Sequence, residues 1–461
     1  MAVDAAPARS RYGDFVVEQL SAAGRCEWHV RRQGLWTYAT PDIAQRDQGW
    51  KLHVSATLAS AHEVLRRAVP VLIDAQAPFK VASTAADLAT LNSTHCPRPS
   101  SGKFITVYPL DDDQAVTLMA SLDQATAGLP GPAVLSDRPY RQGGLVHYRY
   151  GAFRGRAYIS NDGDLVHAIV GPDGELVEDK RTAHFSPPEW VQPPLPDSHG
   201  NPGRKPADVL LDNRFVVRQA VRYANKGGVF QATDGQTGKE VVIKQARAHV
   251  GGDERGLDAR HLLANEAHVL ELLQPTGVTP RLVAFFEQGG DSFLAEEAVP
   301  GETLRTWNAA RWKDEVPSLG EIVGVARKVA AALAAAHHRA VVVRDFTPNN
   351  LIVQPNADVR LIDLELAVPL SGLDEYSAHS DPGYRRLTPA YGSPEQAAGL
   401  KPGFGDDGFA LGAVLCFLFT GEDPHIDPDS PLARAPHPIA AWLGSGPRGS
   451  LLPSAIRHLV L

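Results

Sequence analysis

Seven prolines crowd into residues 186–206, SPPEWVQPPLPDSHGNPGRKP, and no other feature limits the folding of this chain as much. Proline lacks the N–H that a helix interior or a central strand needs, and its ring collides with the preceding turn. No such element continues through this stretch, which reads as a stiff, extended linker. The chain on either side must then close its own core, residues 1–185 as one domain and residues 207–461 as another. With 43% of residues apolar, both sides have the material to do so.

The two sides are patterned differently. Upstream, short β-rich runs such as GKFITVYP and GLVHYRYGAF mix with SATLASAHEVLRRAVPVLIDA, which has helical spacing. This is an α+β pattern. Downstream, strand-like runs (RFVVRQAV, GKEVVIKQA, SFLAEEAV) come before long Ala/Leu/Val helices (IVGVARKVAAALAAAHHRA, GFALGAVLCFLF), so a small strand-rich lobe should precede a helical one. No internal repeat is visible.

Charge and cysteine usage exclude several classes. The net charge is −8 with both signs spread along the chain, which offers no global attraction to nucleic acid or anionic lipid. Cys26, Cys96 and Cys416 are far apart and lack pair spacing, which argues against a disulfide framework or a structural zinc site and for a reducing cytoplasm. No apolar run is long enough to span a bilayer, and the N-terminus has no signal-peptide core. The expectation is a cytoplasmic enzyme without nucleic-acid or membrane partners.

Between two apolar runs, VVVRDFTPNNLIV places Asp345 and Asn350 in a polar loop. A plain hairpin turn accounts for such a cluster. So does a phosphoryl-transfer loop, in which Asp345 takes a proton from an attacking hydroxyl and Asn350 holds magnesium beside a nucleotide phosphate. The second reading demands further parts in a fixed order, and the sequence supplies them. Gly227 and Gly228 precede a strand, where bare backbone can cover phosphates. Lys244 in VVIK points at the α and β phosphates, and Glu266 on the following helix is its partner. Glu296 to Ala298 fall where backbone groups meet an adenine. Asp363 in LIDLE is the second metal ligand, Glu395 in SPEQ is an anchor of the helical lobe, and Asp407 ties down the catalytic loop. Each fragment alone marks a turn or a solvated surface; the ordered set reads as a kinase that uses ATP or another NTP with Mg²⁺. It departs from ordinary protein kinases in its incomplete glycine loop and in having Val343, Thr347 and Leu364-Glu365 where His, Lys and Phe-Gly are usual.

Upstream, Lys51 and His53 lie two apart in WKLHVSA and therefore share a strand face. Lys80, Arg98, Lys103 and Tyr108 follow in nearby segments, with Arg138 and Arg149 further on. An exposed strand face without a role explains a K-x-H pair taken alone. Placed ahead of a kinase, a basic His-containing cluster suits a phosphorylated product, because it can bind a phosphoryl dianion, remove a carbon-bound proton and protonate the leaving phosphate.

The order of a K-x-H domain, a proline-rich linker and a kinase with RDFTPNN and IDLE resembles the class III and class IV lanthipeptide synthetases over essentially the whole chain. The resemblance implies an α+β phosphothreonine-lyase-like domain followed by a bilobal protein-kinase-like domain. It implies a ribosomally made precursor peptide with a leader as partner, whose Ser and Thr are phosphorylated and then lose phosphate to leave dehydroalanine or dehydrobutyrine. By the same resemblance Lys80 is the base, Lys51 stabilises the enolate and His53 is the general acid. Arg98 and Arg149 clamp phosphate, with Lys103, Tyr108 and Arg138 as further candidates. Such synthetases continue into a cyclase domain; this chain stops at PSAIRHLVL, so the kinase end is expected to be truncated, with the cyclase separate or missing. The alternative is a Ser/Thr protein kinase with an N-terminal target-binding domain.

Overall fold

The computed structural model describes residues 11–160, 163–180, 185–195, 209–313, 318–371 and 387–424. The second half of the proline-rich stretch and the chain end expected to be truncated lie outside these residues. Packing divides the chain into two units. One is Met1–Val209 with Arg222–Gly228 and Ala246–Arg260; the other is Leu210–Val221, Val229–Gln245 and His261–Leu461.

The first unit is built on β1 (His29–Gln33), β2 (Trp36–Thr40), β3 (Gln48–Val54), β4 (Phe79–Ala82), β5 (Ile105–Val107), β6 (Arg138–Pro139) and β7 (Val146–Ala152). They form one sheet in the order β1-β2-β4-β5-β3-β7-β6. Helices α1 (Tyr12–Ala22), α2 (Ala61–Asp74), α3 (Ala85–Asn92) and α4 (Asp112–Ala125) accompany it. The apolar side chains of α2 recur at helical spacing, so Val64, Leu65, Ala68, Val69 and Leu72 are all buried. They join Trp50, Leu52, Val54, Phe79, Val81 and Tyr148 from the sheet in one core. Because side chains alternate along a strand, filling one face of β3 with Trp50, Leu52 and Val54 sends Lys51 and His53 to the other. Val191 and Leu195, inside the proline-rich stretch, pack against this core, so the described half of that stretch is part of the first body. A small sheet of β8 (Ala157–Ile159), β9 (Leu165–Val170) and β10 (Leu176–Glu178) completes the unit.

Next come β11 (Leu210–Leu211), β12 (Phe215–Ala224), β13 (Gly227–Asp234), β14 (Glu240–Ala246), α5 (Ala259–Leu273), β15 (Leu282–Gln288) and β16 (Asp291–Glu297), whose strands are ordered β11-β12-β13-β14-β16-β15. After them the chain turns helical, as its pattern predicts. It runs through β17 (Glu302–Thr303), α6 (Leu304–Arg311), α7 (Leu319–His338), β18 (Val341–Val342), β19 (Leu351–Val353), β20 (Val359–Leu361), β21 (Val368–Pro369), α8 (Pro394–Ala398) and α9 (Phe404–Thr420). The Ala-rich α7 packs on α9 and on β18 and β20. The two runs that flank Asp345 and Asn350 do not pair with each other: β18 pairs with β21, and β19 with β17 and β20. The loop between them is therefore no hairpin turn.

Gly301, just ahead of β17, shows how tightly this corner closes. Its φ is +135°, and an added Cβ would lie 2.3 Å from the Val353 carbonyl oxygen. Gly301→Ala is expected to destabilise the second unit by roughly 1–3 kcal/mol through backbone strain and that clash. Urea unfolding checks this, and an unchanged midpoint would show that the β17–β19 pairing tolerates a side chain there.

Candidate active sites

In the second unit, alternation puts Val241, Ile243, Phe293 and Ala295 into one core. Lys244 of β14 and Glu296 of β16 therefore share the opposite face. There Lys244 Nζ lies 2.6 Å from Glu266 Oε1 of α5 and 3.2 Å from Glu296 Oε1. Glu266 Oε1 also accepts the Leu364 N–H at 3.0 Å, so one carboxylate ties together the sheet, the helix and the turn that carries Asp363. Burial pushes the proton affinities of Glu266 and Glu296 up. The Lys244 ammonium, though itself opposed by burial, is held charged by Glu266, Glu296 and Asp363.

The catalytic-loop candidates are fixed from several directions. Asn350 Nδ2 donates to Asp345 Oδ2 at 2.7 Å, and Thr388 Oγ1 donates to Asp345 Oδ1 at 2.6 Å. Asp407, buried in the first turn of α9, accepts from the backbone N–H groups of Val343 and Arg344 at 2.8 and 2.7 Å, and lies 2.8 Å from His337 Nε2. Arg344 takes a left-handed φ of +66°, as does Asp363 at +61°. The Ile362 N–H donates to the Asn350 carbonyl at 2.9 Å, which sets Asp363 beside Asn350. Burial raises the pKa of Asp345 against the hydrogen bonds from Thr388 and Asn350.

Mg²⁺ suits this arrangement. Glu266 Oε2 and Glu296 Oε2 are buried without hydrogen-bond partners, so the site holds more buried acid than its lysine balances. Among the described residues no three His, Cys, Asp or Glu side chains converge as a metal cage. Mg²⁺ has no need of one, since it is held by one or two protein oxygens together with water and substrate phosphate. Gly227 and Gly228 open β13, in a segment that packs with the first unit; across the β13–β14 ladder Lys244 faces Val229. Ala298 follows β16 and is half-buried. Glu395 is exposed on α8. The inward-facing residues there are Gln396 and Ser393, whose Oγ donates to Asp406.

In the first unit the register gathers most of the basic candidates. Lys51 pairs with Arg149, and His53 pairs with His147 on one side and Thr106 on the other; Thr106 in turn pairs with Lys80. Directly opposed residues share a sheet face. Lys51, His53, Lys80 and Arg149 thus stand together on the face turned away from the core. Lys80 Nζ lies 4.1 Å from the ring centroid of Trp36 and 5.6 Å from that of Tyr38. Arg149 Nη2 donates to Asp179 Oδ1 at 2.5 Å, a backing carboxylate that holds the guanidinium in place.

Sequence reasoning missed Asp137. It is buried against His53 Nδ1, lies 3.6 Å from Lys103 Nζ, and accepts from Ser136 Oγ at 2.6 Å. Burial opposes its ionisation, but Lys103, His53 and Ser136 hold its pKa well below the usual carboxylate range. Burial and Lys103 depress His53 to about 3, against the pull of Asp137. His53 is therefore neutral at pH 7, with its Nδ1–H on Asp137 and a lone pair on Nε2. His147 is satisfied structurally: Nδ1 donates to the Leu145 carbonyl and Nε2 accepts from the Val134 N–H.

Two phosphate-clamp candidates, Arg138 and Arg98, are placed otherwise. Arg138 pairs with Tyr148, so it shares the face of the core aromatics, its guanidinium 5.4 Å from the ring centroid of Phe185. Alternation gives the functional face to its neighbour Asp137. Arg98 sits in the turn after α3, 5.8 Å from the ring centroid of Tyr223, and Tyr108 packs edge-on against Phe153.

The depressed histidines make a prediction about stability. Above pH 6.5 the His53 imidazole is neutral in both states and contributes nothing. Between 6.5 and about 3 only the unfolded imidazole takes a proton, so stability falls as pH falls. His147, lowered by burial, acts in the same direction. Each such group costs up to about 1.4 kcal/mol per pH unit. Glu266, raised to about 7, acts in the opposite direction in the wild type and in a His53→Gln variant alike. The difference in unfolding free energy between the two proteins should therefore carry the His53 slope between pH 7 and 5; a difference independent of pH would contradict the assignment.

Comparison with known proteins finds two family matches along the chain. The model of "RamC, N-terminal domain" matches residues 16–206, and that of "Protein kinase domain" matches residues 224–434. The chain is 34% identical over 404 residues to the probable SapB synthase of Streptomyces coelicolor, covering 85% of this chain and 42% of that protein. It is 30% identical over 218 residues to the serine/threonine-protein kinase PknL of Mycobacterium tuberculosis, covering 47% of this chain and 51% of the relative. With the kinase pkn3 of Myxococcus xanthus the identity is 30% over 214 residues, 45% of this chain and 38% of the relative. The chain thus spans about half or less of the length of these relatives. It belongs to the proteins that join a RamC N-terminal domain to a protein kinase domain.

Proposed function

We propose that this chain is the dehydratase portion of a lanthipeptide synthetase, acting in the cytoplasm on a ribosomally made precursor peptide with a leader. The kinase phosphorylates Ser and Thr hydroxyls, and the N-terminal domain eliminates the phosphate. The observation that carries this reading is the sheet face where Lys51, His53, Lys80 and Arg149 stand together, backed by Asp137 and Asp179, in the same chain as the kinase residues. A kinase alone has no use for such a face.

In the first step Lys244, held by Glu266, orients the nucleotide phosphates, and Asp345 accepts the peptide hydroxyl proton. Asn350 and Asp363 would hold Mg²⁺, which when bound would neutralise charge on the transferring phosphoryl group. In the second step Lys80 removes the α-proton. The C–H electron pair becomes the new carbon–carbon double bond, and the C–O bond breaks with its electrons leaving on phosphate. Lys51 stabilises the negative charge that develops on the adjacent carbonyl oxygen. Arg149 binds the phosphate as a planar fork. His53 is neutral in the free protein, so it acts as general acid only after taking up a proton from water or from the monoanionic phosphate ester, the bound phosphate favouring the imidazolium. It then passes that proton to the leaving phosphate. Asp137 keeps the ring in the tautomer that permits this.

The steps separate by mutation. Asp345→Asn or Asp363→Asn should abolish peptide phosphorylation while a synthetic phosphoserine peptide is still converted to its dehydroalanine form. Lys80→Met should do the reverse and accumulate phosphopeptide. Asp137→Asn should lower elimination by roughly 10²–10⁴-fold without affecting phosphorylation. Mass spectrometry of the products decides between the readings: phosphopeptide as the final product of the wild-type chain would leave only a Ser/Thr kinase with a target-binding domain.

A further inference from the structure

Glu296 is a costly residue where it stands. Its side chain comes from β16, beside β14 in the sheet, and is 5% exposed; Oε1 lies 3.2 Å from Lys244 Nζ, while Oε2 is buried without a hydrogen-bond partner. Glu266, only 1% exposed, reaches the same ammonium from helix α5 at 2.6 Å. A buried carboxylate with an orphaned oxygen costs stability, and an apolar side chain would fill the same strand position without that penalty. Lys244 has three N–H donors. Two are taken by carboxylates on two different elements, one on the sheet that carries the lysine and one on a separate helix, leaving the third for a phosphate oxygen.

We propose that Glu296 is a second positioning residue for Lys244, acting in parallel with Glu266, so that the ammonium stays aimed into the nucleotide site from the sheet itself even when the α5 contact is lost. This rests on the kinase reading above, whose own failure would show separately as an absence of phosphorylation by the wild-type chain. Glu296 need not touch nucleotide or peptide; it acts through the lysine. Parallel anchors have a signature that a merely structural residue lacks: removing either is tolerated, and removing both is not.

The test uses the full chain, MgATP and a synthetic Ser-containing peptide, with Glu266→Gln, Glu296→Gln and the double variant. Each single change is expected to lower kcat by about 10-fold, and the double variant by more than about 1,000-fold, at least ten times the product of the single losses. For Glu296→Gln the KM for MgATP should stay level or fall, because a negative charge near the phosphates has been removed. A double-variant loss equal to or smaller than the product of the singles overturns the proposal. A second readout does not depend on activity. In a Lys244→Met background both carboxylates are left buried without their cation, so adding Glu296→Gln should raise the unfolding temperature; a fall would equally overturn the pairing.

Discussion

The buried carboxylate of Glu266 is the contact on which the second unit's chemistry depends. Through one oxygen it holds Lys244 on a strand and the backbone of Leu364 at the end of another segment, while it rides on α5 itself. Three pieces far apart in sequence are thereby fixed relative to one another, and they carry Lys244 and Asp363, the residues proposed to orient phosphate and to hold the metal. A carboxylate so deeply buried is tolerable only because its partners remain charged and aligned. Asp407 does the same for the catalytic loop, accepting two consecutive backbone N–H groups around Arg344, whose positive φ would otherwise be difficult to hold. The kinase half is thus organised less by its apolar core than by a few acids placed where backbone donors and a lysine converge.

The first unit solves a related problem in a different way. Its functional groups project from one continuous sheet, so cross-strand register alone brings Lys51, His53, Lys80 and Arg149 together. Crowding cations on one face is unfavourable by itself. Asp137 and Asp179 answer it, one set against His53 and Lys103, the other against Arg149. In the proposed elimination these backing carboxylates stand behind the cationic face that receives a dianionic phosphate, and Asp137 fixes the imidazole tautomer.

Much of this was legible in the sequence because phosphoryl transfer needs particular residue types in a fixed order, and that order survives in loops and strand ends. The K-x-H pair was legible for a similar reason, since a period of two leaves both residues on one face. What escaped depended on pairing between distant segments. Arg138 attracted attention as a phosphate fork, but the short β6 strand turns it toward Tyr148 and gives the functional face to Asp137; a two-residue strand has no periodicity to read. Glu296 was assigned through its backbone, and the placement of its side chain against Lys244 appears only once β16 lies beside β14. Glu395, expected to anchor the helical lobe, is exposed, and Ser393 and Gln396 face inward instead, because α8 is too short for its inward face to be inferred from pattern.

The claim most open to direct test is that the N-terminal sheet face breaks a carbon–oxygen bond. A synthetic phosphoserine peptide carrying a heavy-oxygen label at the bridging position between carbon and phosphorus separates the outcomes by mass. Elimination cleaves the C–O bond, so the account predicts that the label leaves in inorganic phosphate and that the peptide gains a double bond. Label retained on a serine hydroxyl would mean cleavage of the P–O bond by hydrolysis, and an unchanged phosphopeptide would mean no reaction; either result would contradict a lyase in this chain.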